Sequence, residues 1–122
     1  MTTNTQTTQD VVTHHLESAL AMTSVGVSGI PEILNDYASG ARIFTAQGVV
    51  EGEAAMRSFF EGMAPLMKEL ASVIKIDKQD FMEDVAYLIW SAGDAVPMAT
   101  DTFIVRDGKI VTQTFVAYMP GA

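Results

Sequence analysis

The chain has 122 residues, of which 48% are hydrophobic and 18% charged, so it is long enough for one domain with a sizeable core and too apolar for a disordered segment. It contains no cysteine, which excludes disulfide scaffolds, thiolate metal sites and cysteine nucleophiles. Seven basic against fifteen acidic residues leave a net charge of −8, which argues against binding nucleic acid or an anionic membrane surface.

The polar, threonine-rich opening, residues 1–7, reads as a tail that a partner subunit or a lattice neighbour could order, with a single domain over residues 8–122. It lacks the basic start and apolar centre of a secretion signal, and the longest apolar run, residues 85–92, is too short for a bilayer; a soluble cytoplasmic protein is expected. Thr7, Thr8, Gln9 and Asp10 resemble a capping box, and Val12, Leu16, Ala19 and Leu20 then recur at helical spacing, which predicts a first helix over residues 8–24. Ser28 or Gly29 caps a second helix with Pro31 in its first turn, Tyr37 on its apolar side and Gly40 at its end. Two short strands follow, 41–45 and 49–51. Met56, Phe60, Met63 and Met67 mark a third helix, which Pro65 is expected to kink or split.

Beyond Ala71 the period changes to two. Strands are expected at 72–82, 85–92, 97–106 and 109–119, with a tight turn at Gly93 and Asp94 and a type I′ hairpin at Asp107 and Gly108. Helices followed by an antiparallel meander define an α+β domain with its helices on one sheet face.

Alternation places Ala99, Asp101, Phe103 and Val105 on one face of a central strand, together with Ala86, Leu88 and Trp90 of the strand before it. If that face is the core, Asp101 sits in an apolar wall, and burial raises a carboxyl pKa. His14 and His15 are adjacent on a helix and point about 100° apart, so they do not form one metal site; no metal and no cofactor is expected. His15 shares a face with Val11, Ala19 and Met22 and is the best available base; His14 is expected in solvent. Met22, Met56, Met63, Met67 and Met98 are candidates to line an adaptable cavity. Thr100, Thr102, Ile104, Thr112, Thr114 and Val116 occupy the other sheet face, a mixture suited to a homodimer interface.

The order of elements resembles that of the nuclear transport factor 2-like superfamily, which includes ketosteroid isomerases, scytalone dehydratase, limonene epoxide hydrolase and SnoaL-like cyclases. The segments that carry the resemblance are Tyr37–Ala41, Gly48–Met56 and Asp101–Ile110. It implies a cystatin-like cone: three N-terminal helices packed on a strongly curved, mainly antiparallel sheet, with an apolar pocket at the open end. It also implies a small apolar carbonyl or polycyclic ligand, bound or turned over without cofactor by an isomerase, lyase or cyclase. The alternative is a non-catalytic ligand-binding or dimerisation module. By the same resemblance Asp101 falls on the oxyanion-donor Asp of the isomerases, a carboxylic acid kept neutral so that it can donate, a pattern established for ketosteroid isomerase itself. Tyr37 falls on a pocket residue, giving Asp101, His15 and Tyr37 as the expected catalytic set, and Phe60, Met63, Trp90, Phe103 and Phe115 as ligand contacts. The general-base position of those isomerases falls on Thr45 and a pocket Tyr on Phe60, so steroid isomerisation is not expected.

Overall fold

The computed structural model describes residues 4–121. Helix α1 spans Asn4–Val25; a short 3-10 turn, Gly26–Gly29, leads into α2, Ile30–Leu34. Strands β1, Tyr37–Thr45, and β2, Gly48–Glu51, precede α3, Glu53–Glu69. The chain ends in the meander β3, Ile74–Met82, β4, Val85–Ala92, β5, Val96–Arg106, and β6, Lys109–Tyr118. These strands form one six-stranded sheet in the order β2-β1-β6-β5-β4-β3, antiparallel throughout except where β1 runs parallel to β6. The α+β class and its helices-on-one-face layering are as expected from sequence.

The core lies between the inner sheet face and the helices. Val12 and Met22 of α1, Ile33 of α2 and Met56, Phe60, Ala64 and Met67 of α3 pack on Ile43, Leu88, Phe103, Val105 and Ile110. Register shifts interrupt the pairing between Tyr37 and Arg42, between Ile76 and Lys78, and between Ile104 and Val105. An extra residue in one strand bends it and increases its twist, so three such irregularities curl the sheet around the helices. At the first of them Gly40 has a φ of 80°, a conformation that glycine adopts without strain. Asp107 and Gly108 both have positive φ, 52° and 76°, as a type I′ hairpin requires.

Four boundaries differ from the sequence expectation. Residues 4–7 are helical rather than a tail, while residues 1–3 lie outside the described residues. The cause lies within the chain: the Glu83 N–H donates to Thr5 Oγ1 at 2.8 Å, and Thr8 Oγ1 lies 2.6 Å from the Glu83 carbonyl, so the β3–β4 turn holds the first turns of α1. Helix α2 ends at Leu34, well before Gly40, because β6 recruits the following residues: Ile110 N–H bonds Asp36 O at 2.8 Å and Tyr37 pairs with Ile110. Pro65 does not split α3. A proline inside a helix costs about 3 kcal/mol, whereas burial of Met56, Phe60 and Met67 returns roughly 1.5–3 kcal/mol each. Finally, the β4–β5 connection is longer than a two-residue turn, with Trp90 opposite Ala99; the register moves by two residues, so the faces are those expected. No helix among the described residues is long and apolar enough to cross a membrane.

Candidate functional site

The inner face of β5 carries Ala99, Asp101, Phe103 and Val105, all buried. Leu88 stands opposite Asp101 on β4 and Phe115 opposite it on β6. This carboxylate is 6% exposed and is held from two sides: Trp90 Nε1 donates to Oδ2 at 2.8 Å, and Gln113 Nε2 donates to Oδ1 at 2.9 Å. Burial raises its pKa, the hydrogen bonds from Gln113 and then Trp90 lower it, and the balance is about 6. The rise has the expected direction but stops short of a neutral acid at pH 7. Two N–H donors aimed at the oxygens also favour the ionised form. Both Asp101 oxygens accept hydrogen bonds in this arrangement.

His15 enters from α1, whose buried positions Thr8, Val12, His15, Ser18 and Met22 follow one helical face. Its ring is 3% exposed and sits edge-on to Tyr37, Phe60 and Phe103, with centroids 5.4, 6.3 and 5.3 Å away. Nδ1 has no hydrogen-bond partner among the described residues. Burial, and to a lesser degree the charge of His14, lowers the pKa to about 4, so the imidazole is neutral through the physiological range. His14 faces the other way and is more than a solvated side chain. Its Nδ1 lies 2.8 Å from the Asp36 carboxylate and its Nε2 3.0 Å from Glu32. The Asp36 hydrogen bond is the largest cause of a raised His14 pKa.

Between α1, α3 and the sheet lies a hollow of about 70 Å³. Its wall brings together His15, Asp101 and all five expected contact residues, Phe60, Met63, Trp90, Phe103 and Phe115. Trp90 stacks on Phe115 at 6.4 Å with the rings almost parallel, and Phe59 meets Phe115 edge-on at 6.1 Å. Tyr37 stands behind this wall, not in it: its hydroxyl donates to Gln113 Oε1, and so reaches Asp101 only through Gln113. Burial, followed by the charge of Asp101, raises its pKa well above the usual phenol value, so it stays a donor. Thr45 is not part of the wall; its Oγ1 donates to Gly48 O in the β1–β2 turn. Met22, Met63 and Met67 line the hollow. Met56 is buried elsewhere in the core, and Met98, 54% exposed, lies on the outer sheet face.

Gln113 is the member of the site that the sequence reading did not single out. The alternation that turns Thr112 and Thr114 outward and Phe115 inward turns Gln113 inward too, and a lone amide on an inward-facing position was the available signal. Among the described residues no group of three or more His, Cys, Asp or Glu side chains could hold a metal ion.

The curved mixed sheet wrapped over helices is the fold of solved structures described as NTF2-like and SnoaL-like proteins. An NTF2-like protein from Anabaena variabilis superposes with a TM-score of 0.72 at 13% identity, covering 99% of this chain and 96% of the other. A SnoaL-like protein of unknown function from Burkholderia thailandensis gives 0.69 at 12% identity, covering 92% and 95%, and an NTF2-like protein of unknown function from Cytophaga hutchinsonii gives 0.67 at 17% identity, covering 93% and 99%. No family model matches the sequence, and no curated protein matches it. At these identities the likeness concerns the fold alone.

Proposed function

We propose that the hollow binds a small, largely apolar molecule carrying a carbonyl oxygen, and that Asp101 and His15 carry out cofactor-free proton transfer on it, as an isomerase or lyase would. The observation that carries this reading is the unpartnered Nδ1 of a fully buried, neutral His15 in the same apolar hollow as a carboxylate. A buried polar atom without a partner costs about 1–3 kcal/mol, a cost that a bound ligand atom would remove. The neutral imidazole donates one N–H to the carbonyl oxygen and stabilises negative charge there. Asp101 uses a lone pair left free by Trp90 and Gln113 to take the acidified proton from the adjacent carbon. On a β,γ-unsaturated ketone, return of that proton to the γ-carbon moves the double bond and completes an isomerisation; on a ketone with a leaving group on the β-carbon, departure of that group with its bonding pair completes an elimination.

Exchange of α-protons tests the first half of this reaction without knowledge of the natural substrate. Butanone and cyclohexanone incubated with the protein in deuterium oxide should take up deuterium, followed by proton NMR. Asp101→Asn should slow this at least about a hundredfold. Exchange that is no faster than in buffer, or equal in wild type and Asp101→Asn, would overturn the catalytic reading.

A second reading, a binding module without turnover, is favoured by the fact that both Asp101 oxygens already accept hydrogen bonds, which weakens the base. Native mass spectrometry of a copurifying ligand, retained in Asp101→Asn without any exchange activity in the wild type, would select it. We further propose a homodimer through the outer sheet face, where Phe44, Met98, Val116 and Tyr118 are 43–62% exposed around the threonines. Light scattering that gives a monomer at micromolar concentration would refute the dimer.

A further inference from the structure

The hollow beside Asp101 does not end at its aromatic wall. A second cavity of about 160 Å³ lies beyond it, reaching Ala46 and Gln47 at the β1–β2 turn, and it shares Met63, Met67, Ile74, Trp90 and Phe115 with the first. The core divides at the same place. A large cluster holds Phe60 and Phe103, a small one holds Ala92, Val96 and Ala99, and Ile74, Trp90 and Phe115 pack against both.

We infer that the ligand is an elongated, non-anionic amphiphile, with an oxygen-bearing head at Asp101 and His15 and an unbranched apolar tail that passes Met63 and Met67 into the outer cavity. This rests on the reading of the inner site given above and specifies its substrate class. Three features select that shape. The inner volume has room for roughly five water-sized atoms, the outer for roughly ten. A fused polycycle would have to displace Phe60 and Phe103, which are 3% and 1% exposed and close-packed. An unbranched chain needs only the partition to move, and Met63 and Met67, one turn apart on α3, are flexible thioethers that change rotamer cheaply. The head is not anionic because, among the described residues, neither cavity is lined by Lys or Arg, His15 is neutral, and Asp101 repels an anion. The tail is apolar because, among the described residues, Gln47 and the Trp90 indole N–H are the only polar side-chain groups lining the outer cavity, and that N–H is spent on Asp101.

Trp90 belongs to both cavities and is the sole tryptophan, so its fluorescence reports passage of the tail. The test titrates the full chain with linear methyl ketones from butanone to undecanone. Affinity is expected to rise about threefold to fourfold per added methylene through roughly ten carbons. Linear decanone should bind more tightly than the fused bicyclic decalone. Ala117→Phe fills the outer cavity from β6 without touching the inner one. It should stop the rise at about five carbons and leave butanone binding unchanged. If circular dichroism shows that this variant does not fold, Leu66→Phe fills the same space from α3. A wild-type rise that stops at about five carbons, tighter binding of decalone than decanone, or an unaltered slope in the cavity-filling variant overturns the inference. Butanone binding that is indifferent to both Asp101→Asn and His15→Leu would instead remove the inner-site reading on which it rests.

Discussion

Trp90 donates its indole N–H to Asp101 diagonally across the β4–β5 pair: Nε1 lies 2.8 Å from Oδ2, although Trp90 stands opposite Ala99 and Asp101 opposite Leu88. Diagonal neighbours on one face of an antiparallel pair are about 7–8 Å apart, a span that a long aromatic side chain bridges. Gln113 approaches from β6 on the other side, so two neighbouring strands fix one carboxylate. His15 faces the same hollow from the helix layer. An acid and a base thus share one apolar environment, and that environment pushes them in opposite directions.

Burial raises Asp101 from 3.8 to about 6 and lowers His15 from 6.5 to about 4. For Asp101 the folded state holds its proton longer than the unfolded chain does. Its contribution to stability is fully present below pH 3.8 and is lost as pH rises through about 6. For His15 the unfolded chain takes up the proton first. Its contribution is present above pH 6.5 and is lost as pH falls through about 4. Each amounts to something on the order of 3 kcal/mol, and between about pH 4 and pH 6 the two slopes oppose one another. Relative to wild type, Asp101→Asn should therefore gain stability as pH rises across that window, and His15→Leu should gain stability as pH falls across it. Urea unfolding at several pH values reads both differences; curves that run parallel to wild type would contradict the assignment.

His15→Leu should also separate stability from function. The substitution keeps an apolar side chain of similar bulk among Tyr37, Phe60 and Phe103 and removes the unpartnered Nδ1. At pH 7 we expect unfolding stability to be unchanged or higher by about 1 kcal/mol. Ketone binding and α-proton exchange should fall at least tenfold. A clear loss of stability with binding retained would make His15 a packing residue only.

Much of the fold was legible because its signals are local. The 3.6 period of α3, the two positive-φ residues of the Asp107–Gly108 turn and the alternation of β5 around Asp101 each depend on neighbours within a few residues. What escaped depends on distant contacts or on irregular pairing. The first turns of α1 are polar and threonine-rich, and their anchor is Glu83, 75 residues beyond Thr8. Gln113 fell inward by the alternation that set Thr112 and Thr114 outward, but its partners lie far away in sequence, Asp101 on β5 and Tyr37 on β1. Resemblance drew Tyr37 into the expected site, but it stands behind the wall and its hydroxyl is taken by that unsuspected amide.

The Tyr37–Gln113–Asp101 chain makes Gln113 more costly to remove than Tyr37. Gln113→Leu deprives the Tyr37 hydroxyl of its acceptor and Asp101 Oδ1 of a donor, both in the interior. We expect a loss of about 2–4 kcal/mol, against about 1–2 kcal/mol for Tyr37→Phe. The double variant should lose less than the sum of the two, with a coupling of at least about 0.5 kcal/mol, because the Tyr37–Gln113 bond can be lost only once. Gln113→Leu should also raise the pKa of Asp101 further, visible by NMR titration of its carboxyl carbon, since this hydrogen bond is the largest influence lowering it. Additive losses with an unmoved titration would mean that the three side chains do not act as a chain.

The N-terminal anchor can be tested with a single atom exchange. Thr8 is 1% exposed, and its Oγ1 lies 2.6 Å from Glu83 O and 2.8 Å from Asn4 O. Thr8→Val keeps the shape of the side chain and deletes the hydroxyl, leaving the Glu83 carbonyl without this partner. A loss of about 1–2 kcal/mol follows if the hydroxyl is the main tie between α1 and the β3–β4 turn. The effect should also be regional. Residues 4–8 have weak helix propensity and rely on this tie, so their amide hydrogen exchange should quicken by about an order of magnitude, while that of α3 quickens no more than the loss of global stability requires. Equal acceleration everywhere would show that Thr8 contributes only to the common core. Unchanged stability together with unchanged exchange at residues 4–8 would show that the first turns of α1 are held by something other than Glu83.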